Sequence, residues 1–137
     1  MLLQSDGRAS HAKMARELDV SEGTVRRRLA KLLEDGVIRV VAIAEPERVG
    51  YHTSAFVGLE VDPAQIEAVA EELGRLHETE HVAITTGSYD IFIWVHLGSS
   101  EALASFLHQK VGIIAGVRHT ETFVSLQTKK RTPGPAV

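Results

Sequence analysis

Residues 10–38 read SHAKMARELDVSEGTVRRRLAKLLEDGVI, and that stretch decides the architecture of the N-terminal part of the chain. Ser10 suits the cap of a first helix whose apolar side holds Ala15 and Leu18. The corner Leu18-Asp19-Val20-Ser21 then leads into a second helix capped by Ser21. In that second helix Val25, Leu29, Leu32 and Leu33 recur at helical spacing and are expected to pack inward. Glu22, Gly23, Thr24, Arg26, Arg27 and Lys31 are left outside. A helix-turn-helix corner of this kind offers the first residues of its second helix to the major groove of double-stranded DNA. Arginine grips guanine O6 and N7 or neutralises a phosphate, and a hydroxyl reaches either. Ser21, Thr24, Arg26, Arg27 and Lys31 are therefore the candidate DNA contacts. Arg28 lies beside the apolar stripe and is as well suited to bracing the two helices as to touching DNA. The competing reading treats the arginines and Lys31 as the solvated face of an amphipathic helix, but the corner and its two caps weigh against it.

Composition bounds the rest. The chain has 137 residues, 44% hydrophobic and 24% charged, which suits one domain or two small ones in a globular protein. It has no cysteine, which excludes disulfides and thiolate-ligated zinc and fits a reducing compartment. No apolar run approaches the roughly 18 residues needed to span a membrane, and the start MLLQSDGR lacks a secretory pattern. The expectation is a cytoplasmic protein with no membrane partner. Net charge is −3, yet residues 1–50 hold nine Lys/Arg against eight Asp/Glu, so the acidic excess lies in the remainder. A local basic face used several times through oligomerisation fits this balance better than a general polyanion coat.

The apolar, β-branched run Val37-Ile38-Arg39-Val40-Val41-Ala42-Ile43 reads as a linker strand, interrupted by Pro46 and Gly50. Beyond it the pattern switches to strand alternation, starting with residues 54–61. Asp62-Pro63 opens a helix with Ile66, Val69, Ala70, Leu73 and Leu76 on one side. Strands are expected at 81–86 and 89–97 about a Gly87-Ser88 turn, then a helix capped by Ser99 or Ser100, then a strand over 117–128. The order β-α-β-β-α-β is a ferredoxin-like arrangement, which makes the whole chain α+β. The expected divisions are 1–38 for the helix-turn-helix, winged-helix-like domain, 39–50 for the linker and hinge, 51–128 for the sheet domain and 129–137 for a flexible tail.

This topology places both helices on one face of the sheet, so the other face reports what covers it. Ile91, Ile93, Val95 and Leu97 alternate toward one side, and Phe92, Trp94 and His96 toward the other. Phe56 and Phe123 have the parity to join Phe92 and Trp94 in an aromatic patch that a monomer rarely exposes. Those four residues are the candidate dimer interface.

Several segments together resemble the Lrp/AsnC, or feast/famine, family of transcription regulators over nearly the whole chain. They are residues 6–10, Ala15-x-x-Leu18-x-Val20-Ser21, Val25-x-x-Arg28-Leu29-x-x-Leu32, Gly36-Val37-Ile38, Thr86-Gly87-Ser88-Tyr89-Asp90, and Gly116-Val117 with Thr122 and Leu126. The resemblance implies a DNA-binding helix-turn-helix, a linker strand, and a ferredoxin-like domain that dimerises and binds small effectors, commonly amino acids. Family members often assemble as octamers, four dimers in a ring. No cofactor is implied. The family usually carries a longer first helix than this chain offers before Leu2. The resemblance places effector binding at Thr86, Gly87, Ser88, Tyr89 and Asp90. There a glycine lets backbone amides approach a carboxylate, an aspartate accepts from an ammonium group, and a tyrosine walls a side chain. Read from residues alone, Gly-Ser is ordinary hairpin chemistry.

Two other readings compete. In one, the sheet domain senses an effector or drives oligomerisation while a shortened N-terminal module no longer binds DNA. In the other, His77-Glu78-Thr79-Glu80-His81 satisfies a zinc-hydrolase spacing with His77 and His81 as ligands. The segment falls between a helix and a strand, however, and no third ligand is signposted, so a metal is not expected. No thiol nucleophile or phosphate-binding glycine loop is present, and no enzymatic activity is expected.

Overall fold

The computed structural model of the protein describes residues 2–130, so the expected tail lies outside the described residues from Arg131 onward. The chain divides into two compact units between Ile43 and Ala44, inside the segment read as a linker.

The first unit holds three helices, α1 (Leu2–Ser5), α2 (His11–Leu18) and α3 (Glu22–Glu34). The caps fall where the sequence puts them. The Ser10 hydroxyl accepts from Lys13 N, and the Ser21 hydroxyl accepts from Thr24 N, each at 3.1 Å. Between the helices Asp19 adopts a left-handed conformation, φ 51°, one of the few non-glycine types that tolerate it. Met14, Ala15 and Val25 close a small core, with Leu2, Leu3, Ala9, Val20 and Leu29 packed against it.

Three expected core leucines are exposed instead, namely Leu18, Leu32 and Leu33. Length explains the last two. The eight residues of α2 span about 12 Å and the thirteen of α3 about 20 Å, so the last turns of α3 run past the helix that would cover them. The linker strand does not form either. Residues 37–45 carry no regular structure, with Val37, Val40, Val41 and Ile43 exposed. β-branched residues favour an extended backbone, but a strand exists only beside a partner strand; Val37 N and Ile38 N donate to Leu32 O at the end of α3, and among the described residues no strand pairs with the segment.

The second unit is a four-stranded antiparallel sheet, β1 (Thr53–Val61), β2 (Thr79–Ile84), β3 (Ile91–Leu97) and β4 (Val117–Val124), in the order β2-β3-β1-β4. Helices α4 (Ile66–Gly74) and α5 (Ser100–Phe106) cover one face. Val69 and Leu73 from α4 and Leu103 and Phe106 from α5 meet Ala55, Val57, Leu59, Val61, Ile91, Ile93, Val95 and Leu97 in one core. This is the expected ferredoxin-like arrangement, with shifted ends. Residues 63–65 form a single tight turn before α4, Ser99 caps α5, and α5 continues into a wider turn over Leu107–Val111. β2 begins two residues early at Thr79, β3 two late at Ile91, and β4 stops at Val124.

Candidate nucleic-acid interface and effector turn

On α3 the candidate DNA residues separate by what already holds them. The Ser21 and Thr24 hydroxyls are 2.9 Å apart, so both serve the cap. Lys31 Nζ sits 2.9 Å from Asp35 Oδ2 one turn on, an exposed pair of the kind that contributes little to stability. The side chains of Arg26, Arg27 and Arg28 are exposed and make no hydrogen bond or ion pair among the described residues. Three guanidinium groups without protein partners on one exposed helix form the basic surface of this unit, and Arg28 belongs to it rather than to a brace between the helices.

The proposed effector turn is a longer loop than a two-residue hairpin. Residues 85–90 join β2 to β3, and Gly87 takes φ 115°, where other residues are strained. Its two ends are tied to each other and to β1. At the far end Asp90 N donates to Leu59 O (2.9 Å), Asp90 O accepts from Thr85 N (2.8 Å), and Asp90 Oδ2 accepts from Val61 N (2.8 Å). The Asp90 carboxylate expected to await an ammonium group thus already has one oxygen bonded to β1, where the pairing with β4 shifts register between Glu60 and Val61. Tyr89 O accepts from the Thr85 hydroxyl, and the Tyr89 ring stands on Gly58 and meets Phe92 edge-on at 5.4 Å. Thr86, Gly87 and Ser88 form the tip.

The outer sheet face carries the expected aromatic row. Trp94, Phe56 and Phe123 are cross-strand partners in succession, and the Phe56 and Trp94 ring centroids are 3.8 Å apart. Phe56 is 48% and Phe123 45% exposed. Phe92 lies in the next row, opposite Gly58. Beyond Trp94, His96 is buried, with Nδ1 2.7 Å from Ser54 Oγ and Nε2 2.5 Å from Glu80 Oε2 and 3.0 Å from Trp94 Nε1.

The segment with zinc-hydrolase spacing is split by the fold. His77 lies in the turn after α4 and His81 in β2, so no helical face brings them together. Among the described residues no three His, Asp or Glu side chains gather as a metal site requires. Glu78 instead accepts from Lys110 Nζ at 2.5 Å. Burial works to raise its carboxyl, but that hydrogen bond, one from the backbone, and the nearby His77 and Lys110 together outweigh burial and hold it below the usual carboxylate value. Sequence reasoning missed this pair, the bond from Val61 N to Asp90 and the seat of Tyr89 on Gly58. A glycine amid the β-branched and aromatic residues of β1 was the one available signal.

Two family descriptions cover the chain. Winged helix-turn-helix DNA-binding matches residues 2–39, and the Lrp/AsnC ligand binding domain matches residues 54–135. The chain belongs to the Lrp/AsnC family. An HTH-type transcriptional regulator of Pyrococcus furiosus is 41% identical over 93% of this chain and 87% of its own length. The structure of E. coli AsnC superposes with a TM-score of 0.89 at 31% identity, covering 98% of this chain and 92% of that one. A feast or famine regulatory protein from M. tuberculosis, solved with L-methionine, gives a TM-score of 0.85 at 30% identity over 96% and 92% of the two chains. This Lrp/AsnC chain is accordingly a DNA-binding transcription regulator with a ligand-binding sheet domain. Among the described residues no helix is long and apolar enough to cross a membrane.

Proposed function

We propose that this regulator reads an operator with Arg26 and Arg27 of α3, while Ser21 and Thr24 hold the start of that helix and Lys31 lies at its margin. The carrying observation is the set of arginines that protrude from a capped helix without protein partners. Both caps are formed and Met14, Ala15 and Val25 are buried, which favours a working DNA module over a disabled one. A small effector, an amino acid, binds at Thr86, Gly87, Ser88, Tyr89 and Asp90. The L-methionine bound by the M. tuberculosis relative supports that class. The row Phe56, Trp94 and Phe123, with Phe92 beside it, joins two copies into a dimer, and dimers assemble into an octamer. Paired recognition helices then meet half-sites one helical turn apart. An effector acts by binding one assembly or DNA-bound state more tightly than another. The protein regulates by binding rather than by catalysis, in the cytoplasm where the DNA lies.

Fluorescence anisotropy of the full chain on its own upstream DNA tests this reading, run at several salt concentrations against unrelated DNA. Specific, salt-sensitive binding that Arg26→Ala/Arg27→Ala loses supports it. Folded, oligomeric protein that does not distinguish the two DNAs rejects it. L-methionine and other amino acids are then titrated into the complex, and an effector site at 86–90 requires one of them to shift affinity or assembly.

A further inference from the structure

On α3, buried Val25 and packed Leu29 mark the inward side. At roughly 100° per residue, Arg27 lies almost diametrically opposite. Its neighbours one turn away are Gly23 and Thr24 before it and Ala30 and Lys31 after it, while Arg26 and Arg28 stand about 100° to either side of it. We infer that Arg27 is the base-reading residue, that Arg26 and Arg28 hold the phosphates of the two groove walls, and that Gly23 and Ala30 provide the clearance that lets Arg27 reach the bases. The inference rests on the DNA-reading role of α3 given above and divides labour within it.

The argument is one of fit. The major groove is about 12 Å wide and a helix with its side chains about 10–12 Å, so a helix seated in the groove turns one strip toward base edges and its flanks toward the backbones. Of the residues one turn from Arg27 along that strip, Gly23 and Ala30 carry nothing longer than a methyl group, the Thr24 hydroxyl is taken up by Ser21, and Lys31 is drawn toward Asp35. The fold itself does not ask for glycine at position 23. A Cβ built there meets nothing nearer than Ser21 Oγ at 3.9 Å, and no left-handed conformation is involved. Gly23 lies in the first turn of α3, where it leaves the outward strip beside Arg27 open. The three unpaired guanidinium groups beside it suit the phosphates and bases of DNA.

The test selects preferred duplexes from a random library with the full-length chain, then measures affinity for the best duplex and for each single-base replacement at several salt concentrations. Arg27→Ala is expected to weaken the best duplex roughly 5- to 150-fold and to erase preference at one base position, with the salt slope little changed. Arg26→Ala and Arg28→Ala are expected to weaken all duplexes evenly and to lower the salt slope by about one per bound protomer. Gly23→Ala and Gly23→Leu are expected to hold or raise the thermal midpoint while DNA affinity falls with side-chain size. A selection that yields no preferred duplex rejects the DNA reading and this inference together. Preference retained at every base position in Arg27→Ala, or lost at a base position in Arg26→Ala or Arg28→Ala, overturns the inference alone. Undiminished affinity in Gly23→Leu overturns the clearance argument.

Discussion

Tyr89 occupies the space that a side chain at position 58 would need, since a Cβ built on Gly58 falls 2.7 Å from Tyr89 Cγ. Gly58 sits in the middle of β1, and Tyr89 belongs to the turn assigned to the effector. Gly58→Ala is therefore expected to push the ring off its seat and to destabilise the fold by about 1–3 kcal/mol, the usual range for overpacking. Combining it with Tyr89→Ala removes the clash, so the double variant should melt higher than the sum of the two single changes predicts. Strict additivity in thermal denaturation would mean that the two residues do not meet.

Asp90 is predicted to matter for stability before it matters for any ligand. Asp90→Ala strips Val61 N of its acceptor and should cost about 1–3 kcal/mol, whereas Asp90→Asn retains an oxygen and should lose less. Chemical denaturation in the absence of added amino acids measures both. An unchanged midpoint in Asp90→Ala would confine the residue to ligand binding.

The Glu78–Lys110 pair gives a pH dependence with a definite sign. Glu78 is held below the usual carboxylate value in the folded chain, so the pair's contribution is complete above that value and fades as pH falls and Glu78 is protonated. Lys110→Met should lower stability by about 1–2 kcal/mol near neutrality. That is less than for a fully buried pair, because the Lys110 side chain is 39% exposed while Glu78 is 10% exposed. The gap between variant and parent should narrow below about pH 4. A gap that stays constant from pH 7 to pH 3 would show that the ion pair does not carry it.

The aromatic row predicts an assembly variant. Phe56→Glu places a charge where Trp94 and Phe123 flank it on the outer face, and position 56 is exposed enough for the protomer to fold around the change. Sedimentation should move from oligomer toward monomer while circular dichroism stays the same. Trp94, the chain's only tryptophan, should report a wetter environment by emission. Oligomers that sediment unchanged would point to another interface.

Local chemistry was legible in the sequence and long-range commitment was not. Ser10, Ser21 and Ser99 could be read as caps because each bonds an amide three residues on. The two-residue period of Ile91, Ile93, Val95 and Leu97 gave the buried face of β3, since alternation is a property of the strand itself. The exposure of Leu32 and Leu33 depends instead on how far α2 reaches, and the state of Val37–Ile43 on whether another strand lies beside it. At the effector turn the residue types were readable as a group, but the bond from Val61 N to Asp90 joins residues 29 positions apart and leaves no periodic trace. On α3 the arginines were visible as charge. Burial of Val25 bears out the inward stripe that sets Arg27 directly away from the core.

The closed base of the 85–90 turn bears on how firmly the proposed effector can be gripped. Two bonds fasten Asp90 to β1, and two more, from Thr85 N to Asp90 O and from the Thr85 hydroxyl to Tyr89 O, tie the ends of the turn together, so its base is ordered before any ligand arrives. A ligand bound at the proposed site would have only Thr86, Gly87 and Ser88 left to immobilise, and the entropy lost would be that of three small residues rather than of a whole loop. Affinity for something as small as an amino acid, which offers few atoms for contact, depends on that kind of prior rigidity.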